Sequence, residues 1–353
     1  MFKNLFLSMS VKEKVLFAKR LAFLIHSGTP ILTSLKILQK QATSGGKAKI
    51  LGQVIDDVAN GQYLSTSLAK FGNVFDQFAI NLIRIGEESG TLNENLAYLA
   101  EEMKKKQALR RKVIGAMVYP VFIVIATFGV AGLLTIYIFP KILPIFASLS
   151  ASLPISTRML IWVSDFLKNY GLYLALGFIG LIIGTFLLLR VEKIRFWAHR
   201  IILKVPLVGS IARNYNMANL CRTLGILLRS DTKIVAAFAI TSETTPNLVY
   251  KKELKKISES VTKGDRITTV MAKSPKLFPH IMTHSLDIGE ATGKLDETFG
   301  YLTEMYEADV DDMTKNLSTV IEPVLMTFMG ILVGFIAISI ITPIYTITQY
   351  LKP

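Results

Sequence analysis

A chain of 353 residues could hold two soluble domains, but 51% hydrophobic against 19% charged residues excludes an ordinary soluble pair. The net charge of +14 gathers beside apolar runs, so it points to the basic flanks of membrane spans and to anionic membrane lipid, and not to nucleic acid. The lone cysteine, Cys221, excludes an internal disulfide and fits a reduced compartment.

The first ten residues, MFKNLFLSMS, hold too short an apolar core for a signal peptide and lead into VKEK without a small-residue cleavage site. The N-terminal region is therefore expected to stay unprocessed in the cytoplasm. Ser10 with Glu13 spells a capping box before VLFAKRLAFLIHS, and Gly28 supplies a left-handed stop. Thr29-Pro30 restarts a helix with Ile31, Leu35 and Leu38 on one face. Gly45-Gly46 breaks it, and KILGQVIDDVAN resumes and ends at Gly61. Asp76 opens QFAINLIRI, and Thr91 with Glu94 caps a long helix through Leu96 and Leu99. This punctuation predicts a cytoplasmic bundle of about six helices over residues 1–112.

The bundle ends in KKKQALRRK at 104–112, where Lys104, Lys105, Lys106, Arg110 and Arg111 abut the first apolar run. Three runs, Val113 to Pro140, Asn169 to Leu189 and Pro323 to Leu351, carry no Asp, Glu, Lys or Arg. Each is long enough for a hydrocarbon core of roughly 30 Å, which takes about 20 helical residues. The expected order is a span at 113–140, an external loop at 141–168, a return span at 169–189, a second cytoplasmic helical domain at 190–316, and a third span at 317–350. The fold class is thus an all-α membrane protein with two repeated cytoplasmic bundles of about six helices each and three transmembrane helices.

The two domains are copies. IGEESGTL at 85–92 returns as IGEATGKL at 288–295, and the offset of 203 residues also matches Gly61 to Gly264, Phe75 to Phe278, Pro120 to Pro323 and Pro140 to Pro343. Copies with the same polarity enter the membrane from one side, so the chain must return once between them. The 169–189 segment, without a counterpart, fills that role.

Glu87 and Glu290 are the strongest candidates for chemistry because both copies keep them. The residues beside them, Gly86, Gly90, Gly289 and Gly293 included, offer neither His nor a second shared acid, as metal binding or hydrolysis would need. A structural role is favoured: Gly90 and Gly293 take the positive φ of a tight connection, and each carboxylate sits near the next helix's N-terminus to accept its N–H groups. His280 and His284 have the spacing of zinc ligands, but copy one has Gln77 and Asn81 there. Ser67 and Lys70 match S-x-x-K, but copy two has Val270 at the serine position. No nucleotide-binding loop occurs, so no catalytic, metal or cofactor residue is expected. Pro120 and Pro323 are expected to bend their helices at the membrane entrance. Lys104 and Lys106 become Glu307 and Asp309 in copy two. Either the basic stem serves lipid and topology while the acidic one is solvated, or the two face each other or different partners.

LAFLIHSGTPI, IGEESGTL with a following Tyr-Pro span, RTLGILLRS, IGEATGKLDE and IEPVL together resemble the type II secretion system F-domain family over roughly residues 11–345. The resemblance implies a multi-pass platform protein of the bacterial inner membrane that forms homo-oligomers. It also implies coupling of a cytoplasmic hexameric assembly ATPase to pilins or pseudopilins, beside other inner-membrane assembly proteins, in pilus, secretion or competence machines. Asp231 departs from the pattern, standing where copy one has Gly28, so an altered turn is expected there. A reading from another class, a permease subunit driven by a separate ATPase, has to contend with spans that lack a polar lining.

Overall fold

The computed structural model describes residues 9–42, 45–147 and 154–350. The leader reading of residues 1–8 and the centre of the 141–168 segment, at 148–153, lie outside that set. Among the described residues no strand occurs.

Repeat 1 comprises α1 (Val11–His26), α2 (Ile31–Lys40), α3 (Gly45–Ala59), α4 (Leu64–Ala69), α5 (Gln77–Ser89) and α6 (Leu92–Gly132). A π-helical stretch, Leu133–Ile138, leads to α7 (Phe139–Ala147), and α8 (Ile155–Leu188) and α9 (Glu192–Ile202) follow. Repeat 2 comprises α10 (Val208–Arg229), α11 (Ile234–Thr244), α12 (Leu248–Thr262), α13 (Ile267–Met271), α14 (His280–Thr292) and α15 (Leu295–Tyr350). The first residues of α2 through α6 recur as the first residues of α11 through α15 at the same offset of 203. Among the described residues each copy comprises six helices, the number that the punctuation predicts.

The punctuation also shows why helices start and stop where they do. Ser10 Oγ accepts from Glu13 N at 3.2 Å while the Glu13 carboxylate accepts from Ser10 N at 2.8 Å, so two orphan donors of α1 are satisfied together. Asp76 caps α5 by accepting from Ala79 N at 3.0 Å. Two local expectations are corrected. Gly45 and Gly46 do not interrupt a helix but form the first turn of α3. Asp231 leaves its turn unaltered: it adopts φ 57° and keeps the bond from Thr232 N to Leu227 O at 2.9 Å, as Gly28, at φ 79°, keeps the bond from Thr29 N to Leu24 O at 3.0 Å. Aspartate is one of the few residues whose short polar side chain tolerates the left-handed region.

The chain divides into two compact units. The first gathers residues 1–112 and 199–311, so both repeats belong to one body. Its repeat 1 core is built on Phe17, Leu21, Leu35, Ile50, Leu68 and Leu96, with the Phe17 and Phe75 rings 5.7 Å apart. Each such side chain contributes about 1.5–3 kcal/mol on burial. Ile226 of repeat 2 is part of the same cluster. Repeat 2 has its own centre, where Phe238 meets Phe299 and Tyr250 meets Phe278 edge-on, and Tyr250 Oη donates to Leu277 O at 3.2 Å.

The second unit gathers residues 113–198 and 312–353 and holds the apolar parts of the three helices that, among the described residues, are long and apolar enough to cross a membrane. They converge on Phe139, Leu160 and Ile336, all buried, while most other large apolar side chains of this unit are exposed. That distribution suits hydrocarbon as the solvent. Two polar links join the helices: Ser164 Oγ donates to Thr135 O in the π-helical stretch, and Thr157 Oγ1 donates to Ser339 O, each at 2.8 Å. The expected loop at 141–168 is corrected, since residues 141–147 belong to α7 and 155–168 to α8. At 1.5 Å per residue α8 is about 50 Å long, so it exceeds the hydrocarbon core. Its charged residues, Arg158, Asp165 and Lys168, all fall in the first half. Pro120 and Pro323 both lie inside continuous helices, α6 and α15.

Candidate functional site

The doubled phrase builds the same device twice. Helix α5 ends at Gly90, φ 75°, and α14 ends at Gly293, φ 72°, both in the left-handed conformation that glycine adopts without steric cost. The other glycine of each phrase acts by size. A Cβ on Gly86 would stand 2.9 Å from Leu92 Cα, and one on Gly289 would overlap the Thr298 side chain. Gly86 and Gly289 therefore let two consecutive helices cross closely, and Asn95 Nδ2 donates across the crossing to Leu82 O at 3.2 Å. A glycine kept in a helix interior in both copies was the available signal for this role.

The carboxylate between the glycines works elsewhere than expected. Glu87 does not serve the following helix; it reaches back to α4, accepting from Leu64 N at 2.5 Å and Ser65 N at 3.0 Å. Glu290 does the same for α13, accepting from Ile267 N at 3.4 Å and Thr268 Oγ1 at 3.4 Å, with Arg266 Nε at 3.8 Å. The short helices α4 and α13 leave orphan donors at their starts, and a carboxylate from a distant helix end satisfies them. The arrangement tethers helices rather than presenting a free acid.

The other flagged residues divide similarly. Ser67 Oγ donates to Asp57 at 2.6 Å and Lys70 Nζ lies 2.8 Å from the same carboxylate, so both members of the S-x-x-K pair are committed to a buried aspartate. Burial tends to raise the Asp57 pKa, but hydrogen bonds from Lys70, Ser67 and Gln53 more than offset it and hold it below its ordinary value. His280 and His284 line an open hollow, and no cluster of metal-ligating groups occurs among the described residues. Burial pushes the Cys221 thiol pKa upward, which makes it an inert core residue.

Of the residues the substitution pattern singles out, Glu307 joins the stems, through Arg222 of α10. Lys104 is exposed and pairs only loosely, at 3.9 Å, with Glu101 of its own helix; Lys105 pairs with Glu102 at 3.4 Å. Arg110 and Arg111 are exposed, Lys106 lines a small cavity with Glu102 and Arg222, and Asp309 accepts from Asn214 Nδ2 at 3.5 Å. The stems, read above as serving lipid and solvent or as facing each other or different partners, are joined by a different bridge, in which Glu307 takes part. Arg222 of α10, only 7% exposed, places Nε 3.0 Å from Glu102 of α6 and also pairs with Glu307 of α15. Lys112 adds a second link to Asp311 at 2.5 Å. Desolvation lowers the Arg222 pKa, and Glu102 opposes the shift. Beside this triad lies a polar cavity of about 140 Å³, with Tyr98, Lys105, Arg229 and Glu304 on its walls. A single arginine in the apolar run MANLCRTLGILL was the only sequence trace of this bridge.

Comparison with known proteins bears on the same features. The family described as Type II secretion system (T2SS), protein F matches residues 17–140 and, again, residues 220–343, which is the 203-residue offset found in the structure. The chain belongs to the type II secretion system protein F family. Among curated members of this family, the type IV pilus assembly protein PilC of Thermus thermophilus is 33% identical over 96% of this chain and 83% of its own length. PilC of Pseudomonas aeruginosa is 32% identical over 94% of this chain and 88% of its own. The type II secretion system protein F of the same bacterium is 31% identical over 97% of this chain and 84% of its own. The family's repeated domain covers both copies of the glycine-carboxylate device and the Arg222 bridge.

Proposed function

We propose that this protein is a non-enzymatic inner-membrane platform that couples a cytoplasmic assembly ATPase to the polymerisation of pilins or pseudopilins in a pilus or secretion machine. The observation that carries the reading is the doubled family domain, each copy ending in a helix that runs on into an apolar span. Relatives named for type IV pilus assembly and for type II secretion cover nearly the whole chain, which supports a role common to both machines. The bridged repeats support a mechanical role, since a push on either bundle is carried by the other through Arg222. In the proposed orientation both bundles face the cytoplasm, where the basic 104–112 segment meets anionic lipid. The charge-free runs 113–140, 169–189 and 323–351 weigh against a permease with a charged lining and suit contact with the apolar helices of pilins.

The test is affinity purification of the tagged full-length chain from its host after gentle membrane solubilisation. Co-purification of a hexameric ATPase and of short prepilin-like proteins is expected, together with loss of surface pili or of protein secretion when the gene is deleted. A chain that brings down neither, and whose purified form in liposomes passes a small solute, would overturn the reading in favour of transport.

A further inference from the structure

The two repeats are copies, yet they meet through different faces. Repeat 1 contributes α5 and α6, with Phe78, Glu102 and Met103 against its neighbour; repeat 2 contributes α10 and α11, with Arg222 and Ile226. If the pairing were two-fold, the counterpart positions would be covered equally. They are not. Ile226 is 4% exposed, whereas its counterpart Phe23 on α1 is 68% exposed; buried Arg222 corresponds to exposed Lys19. On the other side, Phe78 and Ile85 of α5 are half-buried, whereas their counterparts on α14, Ile281 and Ile288, are 55% and 63% exposed beside an open hollow of about 420 Å³.

The internal contact is therefore heterologous, and the chain carries an unused copy of each half of an interface it already makes. A head-to-tail contact of this kind generates a ring if the rotation closes and an open array if it does not. We propose that a second copy of this chain covers these faces: the α14–α15 face of one protomer receives the α1 face of the next, with Ile281 beside Phe23 as Phe78 is beside Ile226. The intermolecular contact lacks one element of the internal one, because Glu102 corresponds to Met305 and the buried ion pair is not reproduced. It stands whether or not the assembly role is correct, since it follows from the duplicated surfaces alone.

The test uses the full-length chain in detergent, in which the native thiol of Cys221 is fully buried and silent. Phe23→Cys and Ile281→Cys variants are made separately, then mixed and mildly oxidised. A covalent dimer is expected in the mixture and not in either variant alone, and the double variant is expected to give a ladder of multiples. No product in the mixture overturns the proposal, as does self-crosslinking of either single variant, which would indicate a two-fold contact. Independently, Phe23→Glu and Ile281→Glu are each expected to reduce the particle mass of the wild-type oligomer to that of one chain at an unchanged melting temperature. A wild-type chain that is monomeric at micromolar concentration, or charge variants that leave the oligomer intact, overturns it as well. Retained co-purification of the ATPase with a monomeric wild-type chain would sink this contact while leaving the assembly role in place.

Discussion

Glu87 and Glu290 occupy the same place in two copies but hold their helices with different force. Glu87 binds two backbone N–H groups of α4 at 2.5 and 3.0 Å; Glu290 has one backbone donor and one hydroxyl of α13, both at 3.4 Å. Removing a carboxylate leaves those donors unsatisfied, which costs about 1–3 kcal/mol for a well-made pair and less for a stretched one. Glu87→Ala is therefore expected to lower the melting temperature of the solubilised protein more than Glu290→Ala does. Equal losses would mean that these distances do not reflect the strength of the tether. Asp57 yields a pH-dependent expectation with a definite sign. Its pKa is depressed in the folded state, so its stabilisation is present above the unfolded carboxylate value of about 3.9 and is lost as the pH falls through that value and below. The melting-temperature gap between wild type and Asp57→Asn should be widest near neutrality and close below about pH 4. Repeat 2 has Ser260 at this position, so the effect should originate in repeat 1 alone.

At the scale of helices, α6, α10 and α15 are joined by one guanidinium between two carboxylates. A bridge of this kind, with Arg222 and Glu102 each 7% exposed, is not a large net source of stability, because desolvating the charges offsets most of their attraction. Breaking it from one side is another matter. Arg222→Met leaves Glu102 buried without its main partner, and a loss of about 3–5 kcal/mol is expected. The double variant Arg222→Met, Glu102→Met replaces the buried pair by apolar volume and should recover much of that loss in thermal unfolding. Failure of the second substitution to rescue would show that Glu102 is held by Lys105 and solvent instead. The helices themselves were legible from capping residues and glycines because those signals are local, acting within four residues. The bridge was not, because Arg222 and Glu102 are 120 positions apart and nothing in either segment names the other. The first half of α8 was missed for a related reason. Span limits drawn at the first charge mark where hydrocarbon ends, whereas Arg158, Asp165 and Lys168 sit comfortably in a helix that continues past it.

For the whole molecule, the duplication was legible because an offset that holds without a gap over so many residues leaves one architecture per copy, and three charge-free runs leave three crossings. Which faces of the copies meet was not legible, since Phe23 and Ile226 look alike in sequence and differ only in what covers them. That covering in turn constrains the topology. Ile226 of repeat 2 packs in the core of repeat 1 and Arg222 pairs with Glu102, which supports the proposed placement of both bundles on one side of the membrane. In that proposal the chain between them crosses an even number of times, and among the described residues it has two candidates, the apolar part of α6 through α7 and the apolar half of α8. Fusions of a reporter active only in the cytoplasm should therefore give the same signal at residues 60 and 260 and the opposite signal between α7 and α8. In the proposed orientation the reporter is active at 60 and 260. Activity at one of those two sites and not the other would separate the bundles by a bilayer and remove the contact on which both the bridged repeats and the head-to-tail array depend.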